Sequence, residues 1–319
     1  MALHPNFPTS PYEILDPNIR WFPADEALRE QGYDKLLPPL VATLRKKVKE
    51  WRESGYQGAS DTSKALLKWW FHMPHVEFRY YFAQQEAVET IVYLHDTVQV
   101  KDKYDLMRFD SSGAISAGMF DEDWRRFVIK MATGSGKTKV LSLVLAWSYF
   151  HKLYEPDSTL ARNFLLITPN IIVLDRILTD FDGLRIFYAD SVLPDNGYEG
   201  RNWRDDFQLT VHIQDEIGVV RKTDNLFITN IHRVYESDSK TPSFNDENTT
   251  DYFLGKKPVG ATNESKVDVA MIVRDIELRH RYAVNIGVDC RNCRSGYIGI
   301  AGIYSSIAII KGGLVVASS

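Results

Sequence analysis

Apolar and polar positions recur with two different periods along this chain, and the change of period divides it. From Leu40 to Trp51 the apolar residues Leu40, Val41, Leu44, Val48 and Trp51 fall at helical spacing, which predicts an amphipathic helix. The stretch from Phe78 to His95 repeats the pattern, with Ala83, Ala87, Val88, Ile91 and Leu94 as its stripe. Ahead of both, Pro5, Pro8, Pro11, Pro17 and Pro23 mark an extended lead-in, because proline removes an amide donor and clashes inside a helix. A polar loop bearing glycine and serine follows near Ser111 to Gly118.

Beyond that loop, short apolar runs alternate with helical segments: FVIK (Phe127 to Lys130), a helix from about Lys137 to Leu153, and FLLIT (Phe164 to Thr168). A helix from about Ile171 to Phe181, then LTVHI (Leu209 to Ile213) and LFIT (Leu226 to Thr229), complete the series. Strands separated by helices need crossover connections, which give a parallel sheet covered on both faces. The expected class is therefore α/β, with a mainly helical region before the sheet. Such sheets bind ligands at the carboxyl ends of their strands. No internal repeat is present.

The segment MATGSGKT, Met131 to Thr138, sits between one of those strands and one of those helices. Its GKT and the glycine two places earlier match the end of the P-loop pattern, while Met131 stands where that pattern has its first glycine. Thr133, Gly134, Ser135 and Gly136 are the candidate phosphate cradle, since the glycines let successive N–H groups curl towards phosphate oxygens. The helix beginning near Lys137 adds the positive end of its dipole. Lys137 would reach the β and γ phosphates, and the Thr138 hydroxyl would complete the coordination of Mg²⁺. ATP with Mg²⁺ is the expected ligand.

Composition narrows the picture. The chain has 319 residues, 44% of them apolar and 25% charged, with a net charge of −4, so it is ordinary globular material and not a general nucleic-acid coat. Arg45, Lys46, Lys47, Lys49 and Arg52 are read as the solvated face of the first helix rather than as a DNA-binding patch. Cys290 and Cys293 are the two cysteines. Their CRNC spacing lacks the second pair that a structural zinc requires, so it is read as chance. No leader sequence is apparent, and the uncharged run from Gly296 to Ile310 is shorter than the roughly 20 residues of a membrane span. A cytoplasmic protein with no membrane contact is expected.

Three further segments carry a resemblance. RYYFAQQEAVETIVYL (Arg79 to Leu94) places Gln84 three residues before Ala87, much as the adenine-reading Q motif precedes the P-loop in superfamily 2 helicases. A carboxamide can donate to and accept from adenine at once, although Gln85 is a rival and a solvent-facing glutamine an equal alternative. LLITPNIIVLDRI (Leu165 to Ile177) resembles motif Ia, whose loop touches the DNA backbone. Thr168, Pro169 and Asn170 are its candidate contacts, with the amides of the next helix holding a phosphate. LFITNIHRVYE (Leu226 to Glu236) resembles the later strand whose Thr229 and Asn230 would face the same nucleic-acid strand.

Together MATGSGKT, ITPN and ITNIHR resemble the first motor domain of the DEAD/DEAH-like ATPase in the Res subunit of type III restriction enzymes, over roughly Phe78 to Arg274. The resemblance implies a RecA-like P-loop fold and ATP-driven translocation on double-stranded DNA. It also implies a complex with a methyltransferase subunit that recognises the target sequence. The division it suggests is an accessory region 1–75, a motor domain 76–275 and a divergent tail 276–319.

A motor of this kind needs a Walker B pair at a strand end, in which Asp holds Mg²⁺ through water and Glu orients the attacking water. The apolar run Val269 to Val273 leads to no such pair. Asp215 and Glu216 are weak catalytic candidates, since they precede ITNIHR and reverse the family order; Asp121 and Glu122 are weaker still. From Leu278 to Ser319 the only acid is Asp289, in a chain with 42 acids in all. The expectation is that the chain leaves its family's sequence near Ile276 by frameshift or truncation, which translation of the other reading frames tests. Little hydrolysis by the chain alone is expected. The rival readings are a nucleotide-dependent interaction module without catalysis, and an unrelated P-loop enzyme such as a small-molecule kinase.

Overall fold

The computed structural model describes residues 10–14, 41–75, 78–101, 103–110, 129–131, 135–168, 171–213, 219–230, 297–301, 306–310 and 313–316. The chain divides into two compact units, Met1–Arg125 and Arg126–Ser319.

The first unit is helical, as its periodicity predicts. Helix α1 (Val41–Glu53), α2 (Asp61–Phe71), α3 (Phe82–Val92) and the short α4 (Lys103–Met107) are its described helices. Val48, Trp51, Leu66, Leu67, Trp70, Val88, Ile91 and Val92 are buried together as its core. Helix α2 was not visible in the periodicity. It starts because the Ser60 side chain accepts from the Ser63 amide, and the Asp96 carboxylate accepts from both the amide and the hydroxyl of Ser60, at 3.1 and 3.0 Å. Such caps satisfy amides that a helix start leaves without partners. Helix α3 begins at Phe82, four residues after the Phe78 start of the expected helical segment, with the Phe82 amide bonded to the Pro11 carbonyl at 2.9 Å. It ends in a π-helical turn, Tyr93–Thr97.

The basic residues of α1 are mostly paired, and Arg52, expected on the solvated face, is instead largely buried, its side chain 9% exposed, because it meets a carboxylate inside the unit. Arg45 meets Glu86 at 3.3 Å, Lys47 meets Glu50 at 2.9 Å, Lys49 meets Glu53 at 3.9 Å, and Arg52 grips Glu89. Four of the five cations thus face carboxylates of the same unit, two of them on α3. Helices α1 and α2 therefore share a core with the helix that carries Gln84, and α1 shares ion pairs with it.

In the second unit β2 (Asn163–Thr168), α6 (Ile171–Phe181), β3 (Thr210–Ile213) and β4 (Asn225–Asn230) fall within a residue or so of the pattern-based ranges. The parallel sheet has the order β3-β4-β2-β5, in which β5 is Tyr297–Ala301. Helix α5 (Lys137–Tyr154) is buried continuously from Val140 to His151, as suits a helix apolar on all sides. Its polar residues are bonded: Ser148 donates to the Ala161 carbonyl at 2.9 Å, and the His151 ring pairs with Ser158 at 2.7 Å. An aromatic core of Tyr149, Phe150, Phe181, Phe187, Trp203 and Phe207 joins α5 to α6, α7 (Arg185–Ala189) and α8 (Trp203–Asp206).

The amino ends of the strands are tied by polar side chains. Arg162 forks onto Asp224, and the Asn225 carboxamide donates to that of Asn163 at 2.7 Å. Asp224 itself sits at φ +72°, where its amide donates to the Arg162 carbonyl and its carbonyl accepts from the Thr210 amide.

One expectation about the sheet differs. FVIK was expected to join the parallel sheet, yet β1 (Ile129–Lys130) pairs antiparallel with β6 (Ser306–Ile310), which continues to β7 (Gly313–Val316). A two-residue strand has little pairing of its own to defend, and its open edge takes the partner that satisfies its amides and carbonyls. The uncharged run from Gly296 to Ile310 likewise supplies β5 and β6, not a helix.

Candidate functional site

The P-loop residues are described from Ser135 onward; Thr133 and Gly134 lie outside the described residues. Gly136 caps α5 with φ +80° and ψ 43°, a left-handed conformation that a Cβ would strain. The chain thereby turns into an 18-residue helix, long enough to present a full dipole end. Ser135 and Thr138 flank this turn and are half-buried. Lys137 is 8% exposed, and its Nζ donates to the Met131 carbonyl at 3.3 Å. Burial holds its ammonium below the usual lysine range. The residue that departs from the pattern therefore still takes part through its backbone: Met131 lends a carbonyl, which any side chain permits.

This arrangement fits a polyphosphate. A desolvated lysine gains from an anionic partner, and amides at a left-handed turn before a helix form an anion cradle. Lys139, one residue past Thr138, is ion-paired with Asp190. Burial lowers its pKa and Asp180 partly restores it. That pairing ties the first turn of α5 to the chain after α7, and the sequence reading missed it because the partners lie about fifty residues apart.

In the other unit, Gln84 is 4% exposed and its Oε1 accepts from the Tyr81 amide at 2.9 Å. It stands at the third position of α3 and closes the reciprocal half of a capping box, a role the motif alone did not reveal. The rival Gln85 is also buried, and its Nε2 donates to Glu89 at 2.8 Å. Neither glutamine faces solvent.

At the carboxyl end of the sheet, β2 and β4 run in register, with Ile167 beside Thr229 and Thr168 beside Asn230. The two ITPN and ITN strand ends are thus brought together, as their order implied. Both threonines point inward. Thr168 is fully buried and donates to the Thr229 carbonyl at 3.3 Å, while Thr229 is 1% exposed and its Oγ1 has no partner among the described residues. Pro169 and Asn170 lie outside the described residues, and α6 begins immediately after them.

Asp215, Glu216 and the CRNC cysteines also lie outside the described residues. The strand that follows β4 in the parallel sheet is β5, and the sequence beyond its last residue Ala301 reads Gly302, Ile303, Tyr304, without a carboxylate. Two further Asp-Glu pairs occur, Asp25–Glu26 well before the P-loop and Asp246–Glu247 after a polar stretch rather than an apolar strand. No Asp-Glu-x-His occurs anywhere in the 319 residues.

No helix among the described residues is long and apolar enough to cross a membrane. The family model for type III restriction enzyme, res subunit, matches residues 76–257. No curated protein and no solved structure matches the chain. The matched stretch is more than half of the chain and takes in α3, the P-loop helix and the paired ends of β2 and β4. The chain accordingly belongs to the family of type III restriction enzyme Res subunits, which carry a superfamily 2 helicase-type domain.

Proposed function

We propose that this chain is the ATP-binding motor domain of a DNA-translocating restriction-type ATPase. The observation that carries the reading is the cradle at Gly136 to Thr138, with a buried lysine turned across it onto the Met131 carbonyl. Thr133 to Gly136 would offer amides to the phosphates, Lys137 its charge, and Thr138 a hydroxyl to Mg²⁺. Gln84 is the adenine reader by resemblance. Bound Mg-ATP would supply a phosphoanhydride whose hydrolysis drives movement.

Thr168, Pro169, Asn170, Thr229 and Asn230 mark where double-stranded DNA would run. With both threonine hydroxyls buried, the contacts there fall to backbone amides and Asn side chains, which position a phosphate backbone without reading sequence. Target recognition would then rest with a methyltransferase subunit, and the setting is cytoplasmic. The sequence has no Asp-Glu-x-His, and Asp215 and Glu216 are weak substitutes for the group that orients water, so little hydrolysis is expected from the chain alone.

Calorimetry of the full chain with Mg-ATP tests this reading. Saturable heat that disappears in Lys137→Ala is expected, and identical titrations of the two proteins would overturn it. Rapid DNA-stimulated turnover by the 319-residue chain, abolished by Lys137→Ala, would refute the part about hydrolysis. That no Asp-Glu-x-His occurs in the sequence also favours a second reading, a nucleotide-dependent interaction module. ATP that alters affinity for a protein partner but leaves DNA affinity untouched would select it.

A further inference from the structure

The first turn of α5 carries Lys137 and Thr138, the side chains assigned to phosphate and metal, and its own backbone holds it at few points. The amides of Lys139 and Val140 share one acceptor, the Gly136 carbonyl, at 3.0 and 3.3 Å, and Gly136 itself forms the left-handed turn. Amides at a helix start lack intrahelical partners, and helix ends fray. The continuous burial of α5 begins only at Val140.

Lys139 ties this turn to another part of the same unit, through its ion pair with Asp190. Asp190 stands on a firm base. It lies between Phe187 of α7 and the pair Val192 and Leu193, all three fully buried. The Leu193 amide donates to the Phe187 carbonyl at 3.1 Å. Between them Ser191 takes φ +54°, a conformation that a residue with a Cβ keeps only where its surroundings dictate it. A cation in the first turn of a helix opposes the dipole, so Lys139 needs such a carboxylate. The two side chains are 24% and 27% exposed, which lets either be replaced without opening a cavity.

Successive residues of an α-helix stand about 100° apart around its axis, so fixing Lys139 also fixes the direction of Thr138 beside it. Mg²⁺ takes oxygens at about 2.0–2.1 Å in a nearly ideal octahedron, which leaves little room for a hydroxyl on a fraying turn. We propose that Lys139 and Asp190 are positioning residues for that hydroxyl: their ion pair pins the first turn of α5 to the chain after α7 and holds Thr138 where the Mg²⁺ of Mg-ATP needs it. The proposal rests on the reading of Thr138 as a Mg²⁺ ligand. It extends the nucleotide site to a carboxylate about fifty residues beyond the P-loop.

The test measures, by calorimetry on the full chain, how much more tightly Mg-ATP binds than ATP in EDTA. The variants are Thr138→Ala, Lys139→Met, Asp190→Asn, and the swap of Lys139→Asp with Asp190→Lys. Lys139→Met and Asp190→Asn should each cut the Mg²⁺ advantage about tenfold, as for residues that orient a metal ligand, and Thr138→Ala at least as much. The swap should restore most of it, with every variant melting within a few degrees of the parent. A pair acting through charge alone would move the advantage in opposite directions, since one variant removes a cation and the other an anion; lost positioning lowers it in both. Opposite shifts, an unrestored swap, or an advantage kept by both single variants while Thr138→Ala loses it would overturn the proposal and leave the reading of Thr138 intact. No Mg²⁺ advantage in the parent, or one unchanged in Thr138→Ala, removes that reading and the proposal with it. A lowered melting temperature with equal loss of affinity for both forms of ATP shows a merely structural role and also overturns it.

Discussion

Removing Glu89 alone is expected to be one of the most damaging single changes in the first unit, and the structure fixes why. Glu89→Met leaves the Arg52 cation, with 9% of its side chain exposed, without its fork. It also strips an acceptor from the buried Tyr56 hydroxyl and from the Gln85 amide. Glu89 holds the Tyr56 proton in place: burial first, then the neighbouring carboxylate, pushes the phenol far above its usual range. Breaking one side of a buried pair costs about 3–5 kcal/mol, whereas replacing both partners by apolar groups is often neutral or better. Against a total stability of about 5–15 kcal/mol, the single change would leave the unit marginal. The companion change Arg52→Met should then restore most of the loss.

The assay is urea unfolding followed by the fluorescence of Trp51, Trp69 and Trp70, all buried in that unit. With a slope of about 2 kcal/mol per molar urea, Glu89→Met should lower the midpoint by about 2 M. The double variant should return to within about 0.5 M of the parent, giving a coupling of about 3 kcal/mol. A double variant as unstable as the single would refute the argument, because the loss would then lie in packing and not in a stranded charge.

Other consequences can be checked by similar means. Asp224→Ala removes the Arg162 fork and places a Cβ residue without a local side-chain bond at φ +72°; a loss of about 2–4 kcal/mol in urea is expected, and Asp224→Asn should lose less, since Asn tolerates that conformation. His212 is 1% exposed, bonded through Nε2 to Asn225 and stacked on Phe227, with Nδ1 unpartnered among the described residues. Burial, reinforced by Arg221 and partly offset by Asn225, lowers its pKa below the ordinary 6.5. A lowered histidine means that the unfolded chain binds the proton more readily, so stability is complete above about pH 6.5 and falls as pH drops below it, by at most about 1.4 kcal/mol per pH unit. His212→Gln should flatten the melting temperature between pH 7.5 and 5.5, and an unchanged slope would count against the assignment. Gly136→Ala forces a Cβ onto φ +80° and should cost about 1 kcal/mol while weakening Mg-ATP binding; equal affinity would show that the left-handed turn is not part of the cradle.

Local chemistry was legible wherever a rule acts over a few residues. The Gly-x-Gly-Lys-Thr turn, the helix after it, the strand stopped by Pro169 and the helix from Ile171 to Phe181 all follow from spacing and backbone preference, and the structure reproduces the described parts of them. Helix α2 was missed because its start depends on Asp96, thirty-six residues away, accepting from Ser60. The buried state of Gln84, Thr168 and Thr229 was also illegible, since the same letters suit a solvent-facing role and only their neighbours decide.

The sequence by itself determined the α/β alternation, the Gly-x-Gly-Lys-Thr turn and the family, because each is written in residues close together in the chain. Tertiary structure alone decided that region 41–75 grips α3 through Arg52 and Glu89, thirty-seven positions apart. It also decided that β2 and β4 bring Thr168 beside Asn230, and that β1 takes its partner from the far end of the chain. Those outcomes depend on which charges, edges and apolar faces meet after collapse, and partners separated by tens or hundreds of residues leave no periodicity for a sequence to display.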